Sequence, residues 1–320
     1  MTMMVAALAS SSSGMPVDPT LPRYEARAVA LPKNARYVTR IGDIAVVGYN
    51  DMREMLAALG ARFTAMHPGF RFAWDLPGTK AAPAALAAGT SAFAPMGATF
   101  TPTQLRDYEK LTHMPPLAIR VAHASLSPHA LSGPLAIFVH RDSPLASLTV
   151  AELAAIFSGA DLTRGLRPCG VTTDAALGLF FRDRVLGGQP FAVQFAGLAQ
   201  SADVVQRVGE DVKAIGFAAA CRATPAVKML ALAARAGEAP VAVTDGNLMA
   251  DRYPLDRHLL IYVRAPLEPW VAEFLRFVLS RDGQALIAAG TLGYLPLSAE
   301  SAAAERAQVD RAGSANGSPP

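Results

Sequence analysis

The middle of the chain alternates between two hydrophobic rhythms. Residues 43–48 (DIAVVG) form a short apolar run stopped by glycine, which predicts a buried strand. Residues 52–66 then carry Met52, Met55, Leu56, Leu59 and Phe63 at helical spacing, and His67-Pro68-Gly69 ends that helix. A second strand is predicted over 70–74, a helix over 81–88 opened by Gly78-Thr79-Lys80, and a third strand over 92–96. In a sheet built this way, the turns at the strand carboxyl ends line one crevice, where ligands bind.

A second alternating stretch follows. Residues 135–140 predict a strand, and Thr149 with Glu152 three residues on forms a capping box that opens a helix ending at Ser158-Gly159. Weaker strand character runs over 166–171, a helix over 174–186, part of another over 204–208, and a strand over 214–218. A last strand is predicted at 259–263, and an amphipathic helix over 271–279 that stops near Asp282-Gly283. No repeat of solenoid length is present.

Composition narrows the function classes. The 320 residues suggest two domains, and 52% hydrophobic against 17% charged residues excludes a disordered chain. No run approaches the ~18 apolar residues of a membrane span. The net charge of +3, spread without a basic block, argues against a nucleic-acid surface. Two cysteines, Cys169 and Cys221, exclude a disulfide scaffold and a Cys-based zinc site, leaving one bridge open. His123 and His129 stand six apart, with His113 and His140 nearby, but without HxH or HxxxH spacing. They read as scattered surface histidines, and no metal or cofactor is expected. No Ser/Cys-His-acid set, nucleophile elbow or nucleotide fingerprint is legible, so the chain is not expected to be an enzyme.

The N-terminal segment ends in a small-x-small site, Ala7-Leu8-Ala9, behind a short apolar run without a charged start. It reads as a truncated export signal, with a plain floppy leader as the other account. Residues from about 302 to 320 are rich in Ala, Gly, Ser and charge, and are expected to fray.

Five segments carry a family resemblance: LTVAELAAIFSG at 148–159, AIGF at 214–217, YPLDR at 253–257 running into LLIYV, FLRFVLSRDGQ at 274–284, and GYLPL at 293–297. In this order they resemble the phosphate-binding proteins of bacterial ABC importers, over about residues 40 to 300. The resemblance implies a type II periplasmic binding protein: an α/β chain in two hinged lobes, each a mostly parallel sheet flanked by helices, closing on a ligand. It places a leader and flexible segment at 1–37, lobe I at 38–134 plus 260–300, lobe II at 135–259 and a disordered tail at 301–320. It further implies a periplasmic monomer that captures a small molecule or anion for an ABC permease in the membrane, with no nucleic-acid partner. A ligandless or sensory protein on the same scaffold is the alternative.

The resemblance also locates the site in four turns. The first is Tyr49-Asn50-Asp51, where Asn50 and Asp51 serve equally well as helix caps. The second is Gly78-Thr79-Lys80, with Lys80 either charging an anion pocket or solvated. At the third, Gly97 stands where phosphate binders carry an acidic residue. The fourth, Thr172-Thr173-Asp174, departs most: Val171 replaces an arginine, and Ala175-Ala176-Leu177 replaces Ser-Gly-Thr. A dianion would lack donors there, so phosphate is expected to bind weakly and the ligand to be less charged or larger.

Overall fold

Burial separates into two large apolar clusters, one gathered around Phe63, Phe93, Trp270 and Phe274 and the other around Phe138, Phe157, Phe181 and Phe217. The computed structural model describes residues 15–32 and 34–314. The chain first builds β1 (Ile44–Val47), α1 (Arg53–Met66), β2 (Phe72–Asp75), α2 (Ala82–Ala87), β3 (Ala94–Met96), α3 (Pro102–Thr112) and β4 (Leu117–His123). It then crosses to the second cluster for β5 (Leu135–His140), β6 (Ser147–Thr149), α4 (Val150–Ser158), β7 (Arg167–Val171), α5 (Ala176–Val185), β8 (Ala196–Leu198), α6 (Ser201–Glu210), β9 (Ala214–Ala219), β10 (Val227–Met229), β11 (Ala231–Ala233) and α7 (Asp245–Met249). It returns to the first cluster through β12 (His258–Val263), α8 (Pro269–Val278), α9 (Arg281–Ala288) and α10 (Ala299–Ser314).

The α/β class and two-lobed build follow the sequence expectation, but the sheets are mixed rather than mostly parallel. In the first lobe β1 pairs parallel with β2, whereas β12 lies antiparallel between β3 and β4. The second lobe has the order β10-β5-β9-β7-β8, with β7 parallel to both neighbours and β5 antiparallel to both of its own. The reason is topological. A helical crossover within one lobe forces parallel pairing, but β5 and β12 each arrive from the other lobe and are free of that constraint.

Several elements escape the hydrophobic pattern. The segment expected to stop at Asp282-Gly283 instead opens α9, because Ser280 Oγ accepts from the Gly283 amide at 3.3 Å and recaps the chain. The short strands β6, β8, β10 and β11 are only three residues long, too brief for a period to show.

Both expected loose ends are ordered within the described residues. In the arm before β1, Leu21 and Tyr37 are buried, and Tyr24 donates its hydroxyl to Glu273 at 2.8 Å. The Tyr24 amide bonds Asp282 at 2.8 Å, and Pro22 accepts from the Arg281 amide at 2.9 Å. Residues 299–314 form α10 rather than a frayed tail. Its buried positions Ala302, Glu305 and Val309 follow helical spacing, but a stripe of one alanine, one glutamate and one valine carries no compositional signal. The leader remnant at Ala7-Leu8-Ala9 lies outside the described residues. Cys169 in β7 and Cys221 after β9 are both buried free thiols, so the bridge left open by the sequence is not formed. Among the described residues, no helix is long and apolar enough to cross a membrane.

Glu305 fastens α10 to the sheet. Its carboxylate is 1% exposed and accepts from the Arg120 side chain at 2.5 Å and the Arg120 amide at 3.2 Å. Breaking a buried pair leaves the partner unsatisfied, although Arg120, about a third exposed, can recover water. Glu305→Ala is therefore expected to lower unfolding free energy by about 2 kcal/mol in urea titration. A loss within error would mean that α10 is not part of the cooperative unit.

Candidate functional site

The two crossings between lobes run side by side and are tied by the chain's own backbone. Leu135 donates its amide to Leu255 at 3.2 Å, and Ala124 donates to Arg257 at 2.8 Å. The Tyr253 hydroxyl donates to Leu135 at 3.0 Å. Arg257 sits at the centre. Its guanidinium donates to the carbonyls of Gly97 at 2.9 Å and Gly133 at 3.4 Å, and lies 5.8 Å from the Phe180 ring centre on α5. One side chain thus touches the first lobe, the crossing and the second lobe. Burial pushes its pKa below the usual arginine value, while Tyr49, Tyr294 and Asp256 pull it back. A guanidinium remains charged under these conditions.

Beside Arg257 lies a cleft of about 210 Å³ between the lobes. Tyr49, Thr79 and Gly97 form its first-lobe wall, Ser132 its floor at the crossing, and Val171, Ala175, Leu177, Gln200 and Ser201 its second-lobe wall. Gly97 is required by the Tyr49 ring: a β-carbon there would come within 2.4 Å of Tyr49 Cε1 and 2.8 Å of Ser132 Oγ. Ser132 donates its hydroxyl to Tyr49 at 3.1 Å, which fixes the ring across the cleft. Burial raises the Tyr49 pKa, so the phenol stays protonated and able to donate.

The helices divide by how their first turns are satisfied. Among those that open away from the cleft, four carry side-chain caps: α3 on Thr101, α4 on Thr149, α7 on Thr244 and α9 on Ser280. α5, opening at Ala175, and α6, opening at Gln200, both at the cleft, carry none, nor does the three-residue 3-10 turn Asn50–Met52 that follows Tyr49 and leads into α1. α2 and α8 also lack side-chain caps, but Pro83 and Pro269 in their first turns each remove one amide that would need one. Uncapped first-turn amides with the positive end of the helix dipole form a ready anion site. Two such helix starts and the turn after Tyr49 meet at one cleft beside a guanidinium.

Of the residues singled out by sequence, Tyr49, Thr79 and Gly97 line this cleft. Gly78 shapes the loop behind Thr79, with φ at 128° and its amide bonded to the Gly48 carbonyl at 2.9 Å. Asn50 is outside the lining, and Asp51 is spent on structure: it accepts from the Leu131 amide at 2.9 Å and from the Tyr294 hydroxyl. Neither acts as a side-chain cap. Lys80 is exposed and outside the lining. Thr172, Thr173 and Asp174 also fall outside it, and the cap of α5 is Ala175, not Asp174. Sequence reasoning missed Ser132, Gln200, Ser201 and Arg257. Arg257 was visible as the last residue of the YPLDR run; nothing in that run says that its side chain turns into the cleft. The histidines also differ from expectation. His123 ends β4 fully buried, bonded to Asp256 at 2.6 Å, with its ring 4.7 Å from that of His258.

Two α/β lobes joined by paired crossings, with a ligand-sized cleft at the join, define a binding-protein scaffold. A PBP superfamily domain model matches residues 37–282, and the chain belongs to that superfamily. It is 29% identical to the phosphate-binding protein PstS of Pseudomonas aeruginosa, over 94% of each chain. Among solved structures it shares its fold with an ABC-type phosphate transport receptor from Vibrio cholerae, at TM-score 0.54 and 18% identity over 79% of this chain and 99% of that one. The tungstate-binding protein TupA from Desulfovibrio alaskensis G20 gives TM-score 0.52 at 12% identity, over 80% and 99%.

Because Gly97 leaves room for the Tyr49 ring, Gly97→Ala must displace that ring or its loop. Overpacking of this kind costs about 1–3 kcal/mol. The expected result is a lower melting temperature together with loss of ligand binding. An unchanged melting curve would show that the ring moves freely and is not held by Ser132.

Proposed function

We propose that this protein is an extracytoplasmic solute-binding protein that captures a small oxyanion between its lobes and presents it to an ABC permease. The observation that carries the reading is the convergence of two uncapped helix starts, the 3-10 turn after Tyr49 and the Arg257 guanidinium on one small cleft. The relatives named for phosphate and tungstate support the same ligand class. So does size: about 210 Å³ suits an inorganic ion rather than the larger ligand that the sequence left open. Arg257 supplies the guanidinium that is missing at Val171, by a different route through the fold. Export to the periplasm and action as a monomer belong to this proposal. Binding without bond-breaking also fits the cysteines: burial pushes the Cys169 thiol up to about 11, far from a reactive thiolate.

The lining also favours one kind of oxyanion. Among the described residues, it contains no carboxylate. Phosphate near neutral pH carries at least one proton, and that O–H would meet only neutral acceptors such as Gln200 and the hydroxyls, forgoing a charge-assisted bond at a cost of about 1–1.5 kcal/mol. A tetrahedral dianion with no proton, such as sulfate, molybdate or tungstate, avoids that cost. Calorimetry at neutral pH is expected to give a proton-free dianion about tenfold tighter binding than phosphate, since about 1.4 kcal/mol is a factor of ten. Phosphate binding tighter than all three would overturn the selectivity. No heat and no thermal shift with any of the four would overturn the oxyanion reading and leave the ligandless scaffold. In the same assay Arg257→Lys is expected to weaken binding about tenfold or more, because an ammonium cannot hold two carbonyls and face the cleft together.

A further inference from the structure

Beside the run into β12, four ligating side chains meet: His123, Asp251, Asp256 and His258. One nitrogen or oxygen from each lies within 4.8 Å of all the others. Asp256 Oδ2 is 2.6 Å from His123 Nδ1 and 3.7 Å from His258 Nε2, and Asp251 Oδ1 is 3.6 Å from His258 Nε2. Four ligands around one zinc-sized ion at about 2.0–2.2 Å stand about 3.3–3.6 Å apart, close to the two separations at His258, while the His123–Asp256 contact is a hydrogen bond that a bound ion would replace.

Two further features point to a cation. His123 Nε2 and His258 Nε2 are buried without any hydrogen-bond partner, and the His123 side chain is 0% exposed. Orphaned buried nitrogens are uncommon, because each forgoes its bond to water for nothing in return. The outer atoms, by contrast, are held. Asp251 Oδ2 accepts from Ser301 Oγ at 2.5 Å, and Asp256 Oδ1 accepts from the Arg257 amide at 2.7 Å. Bonds of this kind orient carboxylates whose remaining oxygens ligate a metal. The two carboxylates also supply the negative charge that a divalent cation would cancel. A cavity of about 960 Å³ reaches Asp251, Asp256 and His258 from outside and gives a route of entry.

We propose that this cluster binds one divalent first-row transition cation of the zinc class, and that the ion pins β4 and β12 to the segment linking α7 with β12. A mixed nitrogen and oxygen donor set selects this class over calcium or magnesium, which take oxygen alone. The site is separate from the oxyanion cleft and does not depend on what that cleft holds.

Full-length protein stripped with a chelator and titrated with Zn²⁺ is expected to take up one ion per chain and to melt at a higher temperature. Co²⁺ in its place should show the visible absorption of a tetrahedral complex. Asp251→Asn is the first variant, since Asp251 has φ 52° and asparagine tolerates that conformation. It is expected to fold as the parent does and to bind Zn²⁺ at least tenfold more weakly; His258→Gln is expected to lose at least a hundredfold. Removing the surface histidines by His113→Asn, which keeps a residue tolerant of the φ of 59° there, and His129→Ala should leave Zn²⁺ uptake unchanged. Absence of saturable uptake by the parent protein overturns the proposal, as does unchanged affinity in Asp251→Asn and His258→Gln, or loss of uptake in the two surface variants.

Discussion

The guanidinium of Arg257 is the contact on which the two lobes depend. A chain that crosses twice between domains leaves backbone carbonyls at the join, where sheet pairing cannot reach them, and each needs a donor. Arg257 serves Gly97 and Gly133 together, so the first lobe and the crossing share one rigid fork. Its position over Phe180 extends that fork to α5 in the second lobe. Lysine has the charge but not the planar spread of donors, so the residue type follows from the geometry. The neighbouring segment is braced in the same manner by Asp51, which joins Leu131 to Tyr294 across the same region.

The division of helix caps follows from the same economy. A threonine or serine cap satisfies first-turn amides permanently, which suits helices whose starts only need stability. At the cleft that permanence would occupy the ligand's place. The helices starting at Ala175 and Gln200 give up the stability of a cap, typically about 1 kcal/mol each, and under the proposed reading keep their amides, with those of the turn after Tyr49, for an anion. The chain therefore carries its binding potential in backbone groups more than in side chains. This also accounts for how Ala175-Ala176-Leu177 can line a polar site: the amides are present whatever the side chains are.

That reliance on backbone sets what was legible in the sequence. Elements with a long apolar run or an explicit cap could be read closely, as with β5, β12 and the capping box of α4. The family could be read from five short segments. The cleft could not be read in full, because Arg257 and Ser132 lie at crossings whose direction is fixed by long-range pairing, and Gln200 and Ser201 act through a helix start that no side chain marks. The acidic and basic residues that the resemblance placed at the turns, Asp51, Lys80 and Asp174, stand outside the lining for the opposite reason. Charged side chains near a turn are conspicuous in sequence, but one is used for bracing and two are exposed. The buried histidine cluster was hidden by distance: His123 and His258 belong to strands separated by a whole lobe, and only the antiparallel register of β4 with β12 sets them opposite each other.

That register links the two sites. Asp256 and His258 flank Arg257 in sequence, and both belong to the four-residue cluster. The Arg257 amide donates to Asp256, which fixes the two residues relative to each other. An ion held by Asp256 and His258 would thereby fix the backbone on both sides of Arg257, and the guanidinium would inherit that position. Anion recognition by fixed amides tolerates little displacement, because charge-assisted bonds weaken steeply with misalignment. A site built mainly from immobile backbone groups benefits most when its one charged side chain is held as firmly as they are, and the stretch from Asp256 to His258 places the four-residue cluster where it can do that.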